Sequence, residues 1–191
     1  MKPLLAWMNC YGAWDPSLRR PIETIGYDQY LDAFVAAVKP FEGSIGGIVI
    51  SGGMLDALGR TECATTKPEL ERRLTAAGLE GIGIETDEES LTSMSIARRF
   101  VQRATEQLDT VTPLLFVDAV RYESNLFTVQ YFCDKLSSPI NDVRKVIVPL
   151  PRLDDDPHST REFQEKKLAM MKEKGIEAIE RSEEESRKSN P

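Results

Sequence analysis

Gly46-Gly47-Ile48-Val49-Ile50-Ser51-Gly52-Gly53 is the stretch that decides the fold. Its β-branched apolar centre lacks the polar alternation of a half-exposed strand and stops at two glycines. That combination predicts a strand buried on both faces and released into a turn. On its N-terminal side, Tyr27, Tyr30, Leu31, Phe34, Val35 and Val38 recur at helical spacing until Pro40 closes the pattern. Before them, Leu4 to Asn9 is a second apolar run, followed by the turn formers Tyr11-Gly12-Ala13-Trp14-Asp15-Pro16 and an irregular stretch from Ser17 to Gly26.

The C-terminal side continues the alternation. Thr66-Lys67-Pro68-Glu69 predicts a helix start, with Thr66 as cap, Pro68 in the first turn and Leu70, Leu74 and Ala77 as the stripe that Gly78 ends. Ile82 to Ile84 reads as a brief strand. A helix from about Glu88 to Leu108 carries Leu91, Met94, Ala97, Phe100, Val101, Ala104 and Leu108 on one face. Leu114 to Val117 is the next strand, then a helix with Leu126, Val129, Phe132, Cys133 and Leu136 inward, then Val143 to Val148 as the last strand before Pro149. Strands separated by helices of this length predict an α/β sandwich on a mostly parallel sheet of about five strands, spanning residues 1–151.

Residues 152–191 change character. Ser159-Thr160-Arg161-Glu162 reads as a capping box opening a charged helix with Phe163, Met170 and Met171 as sparse anchors, and Arg181 to Pro191 reads as a frayed end. Over the whole chain of 191 residues, 24 Lys and Arg against 31 Asp and Glu give a net charge of -7. That balance argues against nucleic acid as a partner and against a polybasic membrane anchor. No apolar run reaches spanning length, so no membrane insertion is expected. Cys10, Cys63 and Cys133 are odd in number and far apart, which predicts reduced thiols and a cytoplasmic protein.

Ligands of an open parallel sheet gather at the carboxyl ends of its strands. Ser51, Gly52 and Gly53 leave the first-quoted strand, where backbone N–H groups and a hydroxyl could meet an anion, or where glycine could serve a turn of positive φ. Glu62 follows at a distance suited to folding back over the same cleft. Glu85 is the acid read as nearest the next strand end, while Asp87, Glu88 and Glu89 suit a helix N-terminus. Asp118 and Arg121 follow the fourth strand, as cleft residues or as a structural ion pair. Trp7 suits the core and Trp14 an aromatic wall of the cleft.

Other motifs fail. Gly43-Ser44-Ile45-Gly46-Gly47 precedes a strand instead of following one, so it is no dinucleotide fingerprint. There is no Walker loop and no GxSxG elbow. His158 is the single histidine, which excludes a catalytic triad or a multi-histidine metal centre within one chain. Asp154-Asp155-Asp156 lack calcium-loop spacing and read as solvated acids, so no metal is expected.

Val49-Ile50-Ser51-Gly52-Gly53, Glu62, Glu85, the Ser90-Leu91-Thr92-Ser93 segment and the strand ending at Val117 together resemble the YdcF/SanA/ElyC-like domain family over roughly Leu4 to Val148. The resemblance implies a Rossmann-like fold and a polar cleft for a nucleotide-like or adenosyl-type small molecule, of which S-adenosylmethionine is one, and implies little about a reaction; if the protein is an enzyme, transfer or hydrolysis at a phosphate or adenosyl group is the class to test first. Ser93, Ser95 and Ile96 depart from the family's Thr-x-Glu-Asn stretch, and Tyr122 and Asn125 stand where members tend to carry His and Arg. Two alternatives stand beside it. One is a non-catalytic scaffold whose charged tail recruits a partner or a second copy of the chain. The other is a hydrolase working through the carboxylate of Glu62 or Asp118.

Overall fold

The computed structural model describes residues 2–10, 25–55, 59–151 and 160–189. Its centre is a five-stranded sheet, β1 (Leu4–Asn9), β2 (Ile45–Ser51), β3 (Ile84–Asp87), β4 (Thr112–Asp118) and β5 (Ile147–Leu150), in the order β3-β2-β1-β4-β5. Every pairing is parallel. Parallel neighbours need a crossover, and helices supply it: α1 (Ile25–Val38), α2 (Glu62–Ala76), α3 (Ser93–Gln107) and α4 (Tyr122–Lys135). The fold is therefore the expected Rossmann-like three-layer sandwich.

Strand alternation sorts the core into two layers. Leu4, Ala6, Met8, Ile48, Ile50 and Phe116 pack under α1 and α2, and Leu5, Trp7, Val49, Leu115 and Val117 pack under α3 and α4. An ionic clamp also joins α1 to α2, since Arg73 pairs with Asp28 at 2.5 Å, with Asp32 and with Glu69 at 2.8 Å.

Several boundaries move, each for a local reason. α2 starts before Thr66, because Thr61 is the cap and accepts from the Ala64 N–H at 3.1 Å. Pro68 thus lies inside the helix, on an exposed face where solvent can serve the carbonyl it leaves unbonded. α3 begins only at Ser93, since Thr92 and Ser95 form a capping box, and Glu88 to Leu91 remain loop. β3 lies later than read, reaching Asp87. β5 includes Pro149, which an edge strand tolerates because no neighbour needs its N–H. Leu136, expected inward, falls after α4 and is exposed.

The C-terminal extension departs furthest from expectation. α5 (Arg161–Lys174), capped by Thr160, and α6 (Ile176–Ser189) join at Gly175, whose φ of 85° suits glycine. Phe163 and Met170 face outward, while Met171 and Ile176 are buried among the α3 and α4 residues. The segment from Arg181, expected as frayed, is helical through Ser189. Acids of α6 have partners on other helices: Glu180 pairs with Arg98 of α3, and Glu183 with Lys167 of α5 at 2.8 Å. No helix among the described residues is long and apolar enough to cross a membrane. The loop read at Tyr11 to Pro16 with Trp14, the Asp154 to Asp156 acids and His158 lie outside the described residues.

Candidate functional site

The strand order reverses direction between β1 and β4, which makes their carboxyl ends the crevice of this fold. Tyr30 of α1 closes its floor, its hydroxyl lying 3.1 Å from both the Asn9 and the Phe116 carbonyls. Asn9 is fully buried on the opposite face and donates from Nδ2 to Asn125 Oδ1 at 3.5 Å. Asn125 in turn donates to the Arg121 carbonyl at 2.9 Å.

Asp118 ends β4, fully buried. Its Oδ1 accepts the Arg121 N–H at 2.9 Å and its Oδ2 accepts from Arg121 Nη1 at 2.8 Å. One carboxylate thus caps a 3-10 turn, Ala119–Arg121, and neutralises the guanidinium at its end. The ion-pair reading of these two residues accounts for that geometry.

The β2 end is built from a polar row. Asn9, Ser51 and Asp87 are register partners across three strands. All three are buried. Ser51 accepts the Trp7 indole N–H at 2.7 Å and donates to Asp87 Oδ2 at 3.1 Å, where the Ser90 hydroxyl also donates at 2.5 Å.

Gly52 and Gly53 belong to this cluster, but their N–H groups are committed: they donate to the Asp87 and Ser90 carbonyls at 3.0 and 2.9 Å. An anion cradle built on those two donors is therefore not what this geometry provides. Positive φ is not the reason for glycine either, since neither residue adopts it. Close approach is. A Cβ on Gly53 would lie 2.1 Å from the Glu88 carbonyl oxygen, and one on Gly52 would lie 2.6 Å from Glu62 Oε2 and 2.7 Å from Cys10 Cβ.

Glu62, the first residue of α2, does fold back over Gly52. Beneath it Cys10 and Cys63 are both buried, and the Cys63 thiol donates to the Ile50 carbonyl at 3.2 Å. Burial pushes the Cys10 thiol well above its ordinary range, helped by Cys63 and by the Glu62 charge. A neutral thiol so placed is a packing group and a poor nucleophile.

Ser51, Gly52, Gly53 and Glu62 thus form one group and Asp118 with Arg121 a second, linked through Asn9 and Asn125. Glu85 joins neither. Because β3 extends to Asp87, Glu85 sits short of the strand end on the α3 side, largely exposed and bonded to Arg103 at 2.5 and 3.0 Å. That guanidinium holds the Glu85 carboxyl below its ordinary range.

Asn9, Tyr30, Asp87 and Asn125 were not singled out from sequence as site residues. Asn9 carried a usable signal, as the polar last residue of an apolar strand. Asp87 carried another, two positions after Glu85 and so on the same strand face. Among the described residues, no cluster of three His, Cys, Asp or Glu side chains could hold a metal ion. No family of proteins matches the chain, and neither does any curated protein or solved structure.

Proposed function

We propose that the carboxyl edge of the sheet binds a small nucleotide-like molecule of adenosyl type, in a cytoplasmic protein of YdcF-like character. The observation that carries the reading is the buried polar pair at the switch point, where Asn9 meets Asn125 and Asn125 reaches the Arg121 carbonyl, with the Asp118–Arg121 ion pair at the end of the neighbouring strand. A ribose and an adenine offer the matched hydroxyl and amine groups that such amide and carboxylate side chains recognise.

Charge narrows the choice. Glu62, Asp87 and Glu88 border the β2 and β3 ends, and the Arg121 guanidinium is already neutralised by Asp118. Among the described residues, a polyphosphate would meet these acids beside an arginine that is already paired. A cationic adenosyl compound such as S-adenosylmethionine meets favourable charge.

Calorimetric titration with S-adenosylmethionine, adenosine and ATP tests this. Binding of the adenosyl compounds but not ATP is expected, with at least a tenfold loss in both Glu62→Gln and Asn125→Ala. Equal binding in these folded variants, or no heat from any adenosyl compound, overturns it. The internal bonding of Ser51, Gly52 and Gly53 favours a second reading, a scaffold without turnover that presents α5 and α6 to a partner. A flat response to all adenosyl and nucleotide probes, together with partner capture lost on removing those helices, would select it.

A further inference from the structure

A depression of about 350 Å³ lies between α4, α5 and the 3-10 turn Val143–Lys145 that precedes β5. Its floor is apolar: Leu126, Phe127 and Leu168 are half-buried against the core, and Val143 is buried. Ser124 meets Gln164 and Thr128 meets Met171, so α4 and α5 run side by side in the same direction. Lys172 follows Leu168 by one turn of α5, and its Nζ stands 5.7 Å from the centre of the Phe127 ring. A cation and an apolar surface thus adjoin in one contact.

The cations of this lining are uncommitted. Arg73, Arg98, Arg99, Arg103 and Arg121 each have an acid of their own. Among the described residues, neither Arg144 nor Lys172 has a carboxylate within ion-pair distance. Asp142, the acid nearest Arg144 in sequence, is spent on its own turn: Oδ1 accepts the Arg144 backbone N–H at 3.2 Å and Oδ2 pairs with Lys145 at 3.2 Å. The remaining acid of the lining, Glu123, stands in the first turn of α4, two helical turns or about 10 Å before Gln130. Arg144, on the turn that leads into β5, lies toward the amino edge of the sheet, where α4 ends. The depression is therefore cationic at one end, apolar along its middle and acidic at the other.

We propose that this depression binds a small amphipathic monoanion, a medium-chain or aryl-alkyl carboxylate, with its head on Arg144 and Lys172 and its body on Leu126, Phe127, Val143 and Leu168. A concave floor of this volume suits a small molecule, with a few polar groups to orient it. The guanidinium fork matches a carboxylate. An inorganic anion answers the two cations but leaves the apolar floor wet, and a neutral hydrocarbon covers the floor but leaves the cations unanswered. A dicarboxylate of the same length carries its second charge toward Glu123. The site is separate from the switch-point crevice and stands independently of the adenosyl reading.

Octanoate and 4-phenylbutyrate, titrated into the full chain by calorimetry below their micellar range, are expected to bind saturably. Methyl NMR spectra should place the perturbation at Leu126, Val143 and Leu168. Acetate and octanol should each bind about tenfold more weakly or worse, since each lacks one half of the match. Suberate, which is octanoate with a second carboxylate, should be weakened likewise and should regain most of the loss in Glu123→Gln. Arg144→Ala should weaken octanoate about tenfold, the loss of a charge-assisted hydrogen bond, and Lys172→Gln should weaken it measurably. Both side chains are exposed, so circular dichroism should show the native fold in each variant. No saturable binding of octanoate, equal binding of acetate, octanol or suberate, methyl shifts elsewhere in the molecule, or unchanged octanoate binding in either folded variant overturns the proposal. A dimer seen by light scattering and dissolved by Arg144→Ala also overturns it, by giving the depression to a second copy of the chain.

Discussion

Ser51 and Asp87 are register partners on neighbouring strands and are also joined side chain to side chain, the Ser51 hydroxyl donating to Asp87 Oδ2 at 3.1 Å. The same hydroxyl accepts the Trp7 N–H at 2.7 Å. A residue that sequence alone offers as a ligand contact is thus also the central link of a buried relay from β1 to β3. Its loss should register first in stability.

Ser51→Ala leaves the Trp7 indole N–H and one Asp87 oxygen with a partner fewer in the interior. Stranding buried polar groups costs about 1–3 kcal/mol, and this variant is expected in that range by urea denaturation. A change below about 0.5 kcal/mol, the level of an ordinary surface substitution, would show that the relay contributes nothing to folding.

Gly52 and Gly53 separate packing from ligand binding. In Gly53→Ala the new methyl meets the Glu88 backbone oxygen at 2.1 Å, whereas in Gly52→Ala it meets Glu62 Oε2 at 2.6 Å and Cys10 Cβ at 2.7 Å. Glu62 Oε2 can swing aside whereas Cys10 Cβ moves only with its backbone, so Gly53→Ala is expected to cost about 3 kcal/mol and Gly52→Ala about 2 kcal/mol, both within the span of overpacked sites. Denaturation midpoints in the reverse order would contradict the packing account.

These glycines mark where sequence reading stops. Leu4 to Asn9 and Ile48 to Ser51 were legible as strands because β-branched and apolar runs buried on two faces have no competing interpretation. Glycine after a strand is ambiguous, since a turn, an anion cradle and a close approach all demand the same missing side chain. Only the position of the loop from Glu88 to Leu91 decides between them. Glu85 went astray because charged residues within β3 hide the strand's end. The helix from Ile176 was hidden by composition: serine and charge resemble a disordered tail unless each acid's cation, as Arg98 for Glu180, is seen across the fold.

Two glutamates should oppose each other in pH dependence. The Arg72 hydrogen bond foremost, joined by the Arg73 hydrogen bond and the charges of both arginines, lowers Glu69 from 4.5 to about 2 although burial, second in size, opposes it. Its contribution to stability is present above the unfolded-state value and is lost as pH falls toward 2. Glu180 shifts the other way, raised chiefly by burial although Arg98 opposes it. Its contribution is full below the unfolded-state value and is lost as pH rises through the raised one. Urea denaturation across the acid range should therefore give a flatter acid limb for Glu69→Gln and a steeper one for Glu180→Gln. The same slope in both variants would refute the assignment.

Met171 and Ile176 decide whether the C-terminal helices are an appendage or part of the core. Both are buried among α3 and α4 residues at 2% exposure, and Ser124 of α4 donates to Gln164 of α5 at 3.2 Å. If the layers form one cooperative unit, Met171→Ala should cost about 2–5 kcal/mol, as truncation of a buried side chain does. Tryptophan fluorescence and circular dichroism should then report one coincident transition, although Trp7 lies on the distant strand β1. An appendage would behave differently: the helical signal would melt early while the fluorescence midpoint stayed at its wild-type value. Arg98→Ala adds an independent check, because it strands the Glu180 carboxylate, 7% exposed, without its cation. Breaking such a pair costs about 3–5 kcal/mol when one charge stays buried. The partly exposed Arg98 places the expected loss at the lower end, and protonation of Glu180 should recover part of it as pH falls.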